Sequence, residues 1–125
     1  MEALIKFAWL TLAAIHVLPA LVAVVPQMVL RLYDVDPHGP VGILLVHRGF
    51  LFLAIVTAAL IAVFDPGVRR VCAAIVAISV IGFLVVYAQA GMPTGALRTV
   101  ALVDAAALVP LVLVTVAAWR PQVAA

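Results

Sequence analysis

Four apolar stretches, each of about twenty residues, leave this chain very few folds to choose from. They run over residues 7–25, 41–64, 71–89 and 97–118. A helix rising about 1.5 Å per residue crosses about 30 Å of hydrocarbon in that length. Each stretch is apolar nearly all round, which marks a helix in lipid rather than one on a globular surface. The stretches are too long for single barrel strands and lack the alternation of a barrel wall. In lipid every backbone N–H and C=O has to be paired internally, and a helix does this by itself. Composition agrees. Of the 125 residues, 69% are hydrophobic and 10% charged, against about 45–50% and 25% in soluble domains. A water-soluble fold this small has too little interior for so much apolar side chain. The expected fold class is all-α: a four-transmembrane-helix bundle, one integral membrane domain over residues 1–125.

Other classes fall away on the same grounds. Cys72 is the single cysteine, so a disulfide scaffold is excluded. The hydrophobicity excludes intrinsic disorder. The isoelectric point near 9.2 looks basic. The net charge is only +2, however, and the seven Lys and Arg are scattered, so no nucleic-acid partner is expected.

The breaks fall where helix breakers cluster. Asp65-Pro66-Gly67 ends the second stretch in a tight turn, and Gly91-Met92-Pro93-Thr94-Gly95 parts the third from the fourth. The first connection is longer. Its residues 27–33 read as one or two turns of interfacial helix with Pro26 at the start, and residues 34–40 as loop. Lys6, Arg69, Arg70 and Arg120 fall on one side, Arg31 and Arg98 on the other. That bias predicts cytoplasmic termini and an inner (plasma) membrane protein. Trp9 and Trp119 then read as an aromatic belt on the cytoplasmic side, Tyr33 and Tyr87 as its counterpart. The thin basic start and the long first stretch, holding His16 and Pro19, predict a retained helix rather than a cleaved leader.

Charged side chains in hydrocarbon cost about 2.5–3.5 kcal/mol each on insertion scales, so they need a reason. Four residues qualify: His16, His47, Arg48 and Asp104. Counted along their helices, Arg48 and Asp104 each lie roughly 10 Å below the outer face and His16 roughly 13 Å. The expectation is an Arg48–Asp104 ion pair, with His47 or His16 hydrogen-bonded beside it. A guanidinium offers a fork of donors to a carboxylate, and pairing removes most of the cost of either charge. Such a pair has two readings. It can fix helix register, or it can be part of a His/Arg/Asp pocket for a small ligand: a quinone-like or lipid headgroup, or a haem. Consecutive helical residues point about 100° apart, and of His47 and Arg48 it is Arg48 that is expected inward.

Other polar residues have local explanations. Thr57, Ser79 and Thr115 can bond their own helix backbone. Tyr87 and Gln89 lie where an anchoring role or a pocket mouth is expected, and His38 sits in a loop. Small residues at spacings of four predict close-packed seams: Ala54, Ala58 and Ala62; Ala74, Ile78 and Gly82; Ala101 and Ala105. Pro19 and Pro110 lie inside their spans, and a kink at Pro19 would open space one turn from His16. Cys72 reads as a packing residue.

There is no phosphate loop, CxxC, HExxH or GxSxG, and no catalytic residue stands out. His16, His47 and Asp104 could supply three ligands to zinc, but Arg48 would compete for the carboxylate and repel the cation, so no metal is expected. A haem held between His16 and His47 is conceivable in such a bundle. No cofactor is expected.

The segments Ile15-His16-Val17-Leu18-Pro19, Leu32-Tyr33-Asp34-Val35 and Leu44-Leu45-Val46-His47-Arg48-Gly49, leading into Leu51-Phe52, resemble small bacterial four-helix membrane proteins, DoxX-like in size and layout. Asp34 stands where similar families carry a glycine. The resemblance implies a four-helix membrane fold without an assigned function. Similar proteins are sometimes labelled phosphopantetheine adenylyltransferase, an activity of a soluble nucleotide-binding fold for which four spans leave no room. The sequence thus points to a membrane module that packs with partners, a second copy or another membrane protein. The pocket reading stands as the alternative, and a membrane enzyme using a histidine as acid or base as a third.

Overall fold

Prolines and glycines cut the described residues into five α-helices. The computed structural model describes residues 1–120. In it α1 spans Glu2–Ala20, α2 Met28–Tyr33, α3 Pro40–Phe64, α4 Arg69–Gln89 and α5 Ala96–Trp119. Single 3-10 turns at Leu21–Ala23 and Pro66–Val68 extend α1 and lead into α4. There is no strand among the described residues. α1 with its extension, α3, α4 with its leading turn, and α5 are each long and apolar enough to cross a membrane. The chain is a multi-pass membrane protein.

Local chemistry sets the boundaries. Pro40 opens α3, where its missing N–H costs nothing and its fixed φ suits a helix. The Asp65 carboxylate accepts from the Gly67 N–H at 2.8 Å and shapes the turn between α3 and α4. α2 stops at Asp34, which takes the left-handed conformation at φ 55°. Glycine takes that conformation most easily, and Asp is among the few other residues that tolerate it.

The long helices form a ring. α1 packs on α3 and α5, and α4 packs on α5 and α3, so α3 and α5 stand on opposite corners. Leu12, Ala59, Val76, Val80 and Val114 are buried in the shared core. Large apolar residues such as Phe7, Phe64, Ile78 and Val109 point outward, as helices solvated by hydrocarbon should.

Two expectations about packing fail. Trp9 is not in a boundary belt: it is fully buried, and its Nε1–H finds no acceptor among the described residues. The seams of small residues are also misplaced. Ala54 is exposed and only Ala62 of its row is buried; Ala74, Ile78 and Gly82 all face outward, and Ala105 is exposed while Ala101 is buried. A step of four residues turns about 400°, so a row at that spacing drifts about 40° per step around the helix. The close approaches lie instead at Gly42 and Gly49, two turns apart on α3. A Cβ on Gly49 would come within 2.7 Å of the Ala23 nitrogen, and one on Gly42 within 2.6 Å of the Pro37 backbone.

The end of the bundle carrying both termini is stapled by two adjacent arginines. Arg69 is 6% exposed. Its fork grips Glu2 at 2.6 and 3.1 Å, while its Nε donates to the Ala62 carbonyl at 2.8 Å and its Nη2 to that of Val63 at 3.4 Å. Arg70 donates through Nε to the Ala118 carbonyl at 2.9 Å. The last carbonyls of α3 and α5 lack helical partners, and cations there also oppose the negative end of the helix dipole.

Candidate functional site

The opposite end of the bundle holds a cavity of about 250 Å³. α1 contributes Ile15, His16, Leu18 and Pro19; α2 contributes Arg31, Leu32 and Tyr33; α3 contributes Phe52; and α5 contributes Thr99, Val103 and Asp104 among others. Each wall has a local cause. Pro19 has no N–H to return to the Ile15 carbonyl four residues back, so α1 carries a weakened turn where the cavity lies. α2 folds back over the opening because Val29, Leu32 and Tyr33 share one helical face. Val29 is fully buried and the other two half-buried.

His16 is 2% exposed. Its Nδ1 lies 2.7 Å from the Leu12 carbonyl. A carbonyl only accepts, so Nδ1 carries the proton, and in the neutral tautomer Nε2 is an acceptor. The imidazole rests against Phe52 with ring centroids 5.8 Å apart. Asp104 is half-buried and makes no hydrogen bond with the described residues, and neither does the Tyr33 hydroxyl. Burial pushes the Tyr33 phenol above its ordinary value; the Arg48 cation pulls it down and the Asp104 carboxylate pushes it up again. Both charges are therefore within electrostatic reach of the same phenol, which stays a neutral donor near pH 7.

The structure brings two of the four sequence candidates, His16 and Asp104, to one cavity and separates the others. The Arg48–Asp104 ion pair does not form. The one pair within 4.0 Å among the described residues is Arg69–Glu2. The reason is topological: Arg48 and Asp104 sit on α3 and α5, the diagonal helices of the ring. Arg48 instead lies over Phe52 at 4.9 Å and Phe83 at 5.5 Å, held by two aromatic faces. His47 is exposed on the outside of α3 and takes no part in the core. His16, His47 and Asp104 accordingly do not converge on a metal. Among the described residues no three His, Cys, Asp or Glu come close enough to hold one. With His47 outside, the pair of axial histidines for a haem is not assembled either.

Tyr33, Arg31, Thr99 and Phe52 also line the cavity, and none of them reads as a pocket residue in the sequence. Tyr33 was legible only as an anchor; the apolar spacing of Val29, Leu32 and Tyr33 was the signal that α2 packs inward. Tyr87 serves its own loop, donating to the Pro93 carbonyl at 2.9 Å.

Comparison of the chain with protein-family models, curated proteins and solved structures finds no match. The functional reading therefore rests on the site itself.

Proposed function

We propose that this protein binds a small amphipathic molecule with a quinone-like head in the cavity between α1, α2 and α5. The observation that carries the reading is the convergence of His16, Tyr33 and Asp104 on one cavity, with no hydrogen-bond partner among the described residues for His16 Nε2, the Tyr33 hydroxyl or the Asp104 carboxylate. Unsatisfied polar groups in an apolar setting are costly and so mark a place for a ligand. Tyr33 donates to a ring carbonyl. His16 and Asp104 accept from a ring hydroxyl, so oxidised and reduced heads are both served. Phe52 offers a face to the ring, and Ile15, Leu18 and Val103 receive an apolar tail. The alternative of a purely structural ion pair loses its support because Arg48 and Asp104 are out of contact. We place the protein in the inner (plasma) membrane with both termini cytoplasmic. Helical spans and the excess of Lys and Arg at the terminal end favour that placement.

The test is titration of the purified protein in detergent with decylubiquinone, followed by calorimetry. Wild type binds, and Asp104→Asn and Tyr33→Phe each weaken binding at least tenfold while melting within a few degrees of wild type. A wild type that does not bind, or variants that bind as tightly as wild type, would overturn the proposal.

A further inference from the structure

A second recess lies on the far side of Arg48. It is a groove of about 470 Å³ between α3 and α4, bounded at the end away from the termini by Ala90, Pro93 and Leu97. Among the described residues Arg48 is the only charged one lining it. The guanidinium is half-buried between Phe52 and Phe83. Among the described residues no carboxylate comes within 4.0 Å of it and no acceptor within hydrogen-bond distance. A cation kept in an apolar groove, with five N–H donors and nothing to receive them, is an unfinished interaction. The wall of α4 beside it is open: a Cβ built on Gly82 would meet nothing within 4 Å, and Ile78 and Val86 are largely exposed. The groove therefore has one positive point, beside Phe83, on a mostly apolar wall that runs along α4.

We infer that this groove seats an anionic phospholipid. The fork of Arg48 donates to the phosphodiester oxygens, for which a guanidinium is well shaped. One acyl chain lies along Ile78, Gly82 and Val86. A zwitterionic lipid brings its own ammonium towards Arg48 and is disfavoured by that repulsion. The site is separate from the cavity of His16 and Asp104 and shares no lining residue with it.

The experiment is native mass spectrometry of the full chain, released from mild detergent after equilibration with phosphatidylglycerol or phosphatidylcholine. Wild type retains one phosphatidylglycerol at least tenfold more than phosphatidylcholine. Arg48→Gln drops that retention to the phosphatidylcholine level, Arg48→Lys keeps part of it, and Arg98→Gln leaves it unchanged. Gly82→Phe keeps Arg48 but fills the path of the chain, and it loses the lipid as well. Asp104→Asn, which weakens the other cavity, retains it. A wild type that does not distinguish the two lipids overturns the proposal, and so does a folded Arg48→Gln that retains phosphatidylglycerol like wild type. If Arg48→Gln does not fold, Gly82→Phe decides, since its side chain starts in open space; a folded Gly82→Phe that still holds the lipid is equally fatal.

Discussion

The two ends of this bundle use the same kinds of side chain in opposite ways. At the terminal end, Arg69 and Arg70 spend their donors on Glu2 and on the carbonyls that close α3 and α5. At the other end, Arg48 and Asp104 find no acceptor or donor among the described residues, and one face of His16 is left as an acceptor. Arg69, a buried cation with four hydrogen bonds from its five N–H donors, is a fastener. A half-buried cation with none placed is a receptor in waiting, because its aromatic contacts leave all of its N–H donors without an acceptor. Burial alone does not separate the two cases; the list of partners does.

The sharpest way to break this contrast is to delete each arginine. Arg69→Ala removes charged hydrogen bonds to two carbonyls and should destabilise the protein by about 2–3 kcal/mol. Arg48→Ala forfeits only its aromatic contacts and relieves an unpaired charge, so it should change stability by less than about 1 kcal/mol. Chemical denaturation in detergent reads both, and Arg48→Ala costing more than Arg69→Ala would remove the distinction. Glycines offer a second comparison. Gly49→Ala forces a Cβ against the backbone of Ala23 and should cost about 1–2 kcal/mol. Gly82→Ala meets open space and should be neutral or gain up to about 1 kcal/mol from helix propensity. Thermal melts of the two single variants decide the order. The smallest effect is titration of Tyr33. Its folded pKa lies above the ordinary value of 10.0. Its contribution is therefore fully present below pH 10 and is lost as pH rises through the higher folded value. Tyr33→Phe should flatten that alkaline decline in melting temperature and leave the curve at neutral pH unchanged.

Much of the fold was legible residue by residue. The turn at Asp65-Pro66-Gly67, the short helix after Pro26 and the last three spans sit where breaker residues and apolar length put them, while the first helix begins at Glu2, five residues before its apolar stretch. Rise per residue alone put His16, Arg48 and Asp104 at nearly one level, and His16 and Asp104 do line one cavity. Azimuth around each helix was not legible. In a soluble protein the polar face of a helix shows which side is out, but here lipid and core are equally apolar, so the sequence of α3 does not say whether Ala54 or Ala59 faces inward. The same blindness hid Trp9 in the core, whereas the outward turn of His47 followed from the roughly 100° that separates it from Arg48. Arg69 was counted as a topology charge because its partners, the Ala62 and Val63 carbonyls and Glu2, are backbone atoms and a residue 67 positions away.

Apolar run length and helix breakers, read from the sequence alone, determined that this chain makes four spans and where they end, since the bilayer imposes length and internal backbone pairing on any segment that crosses it. Only the tertiary structure decided which helices are neighbours. Placing α3 and α5 diagonally set Arg48 and Asp104 on different recesses, and no pattern along a single helix encodes which corner of a ring it will occupy.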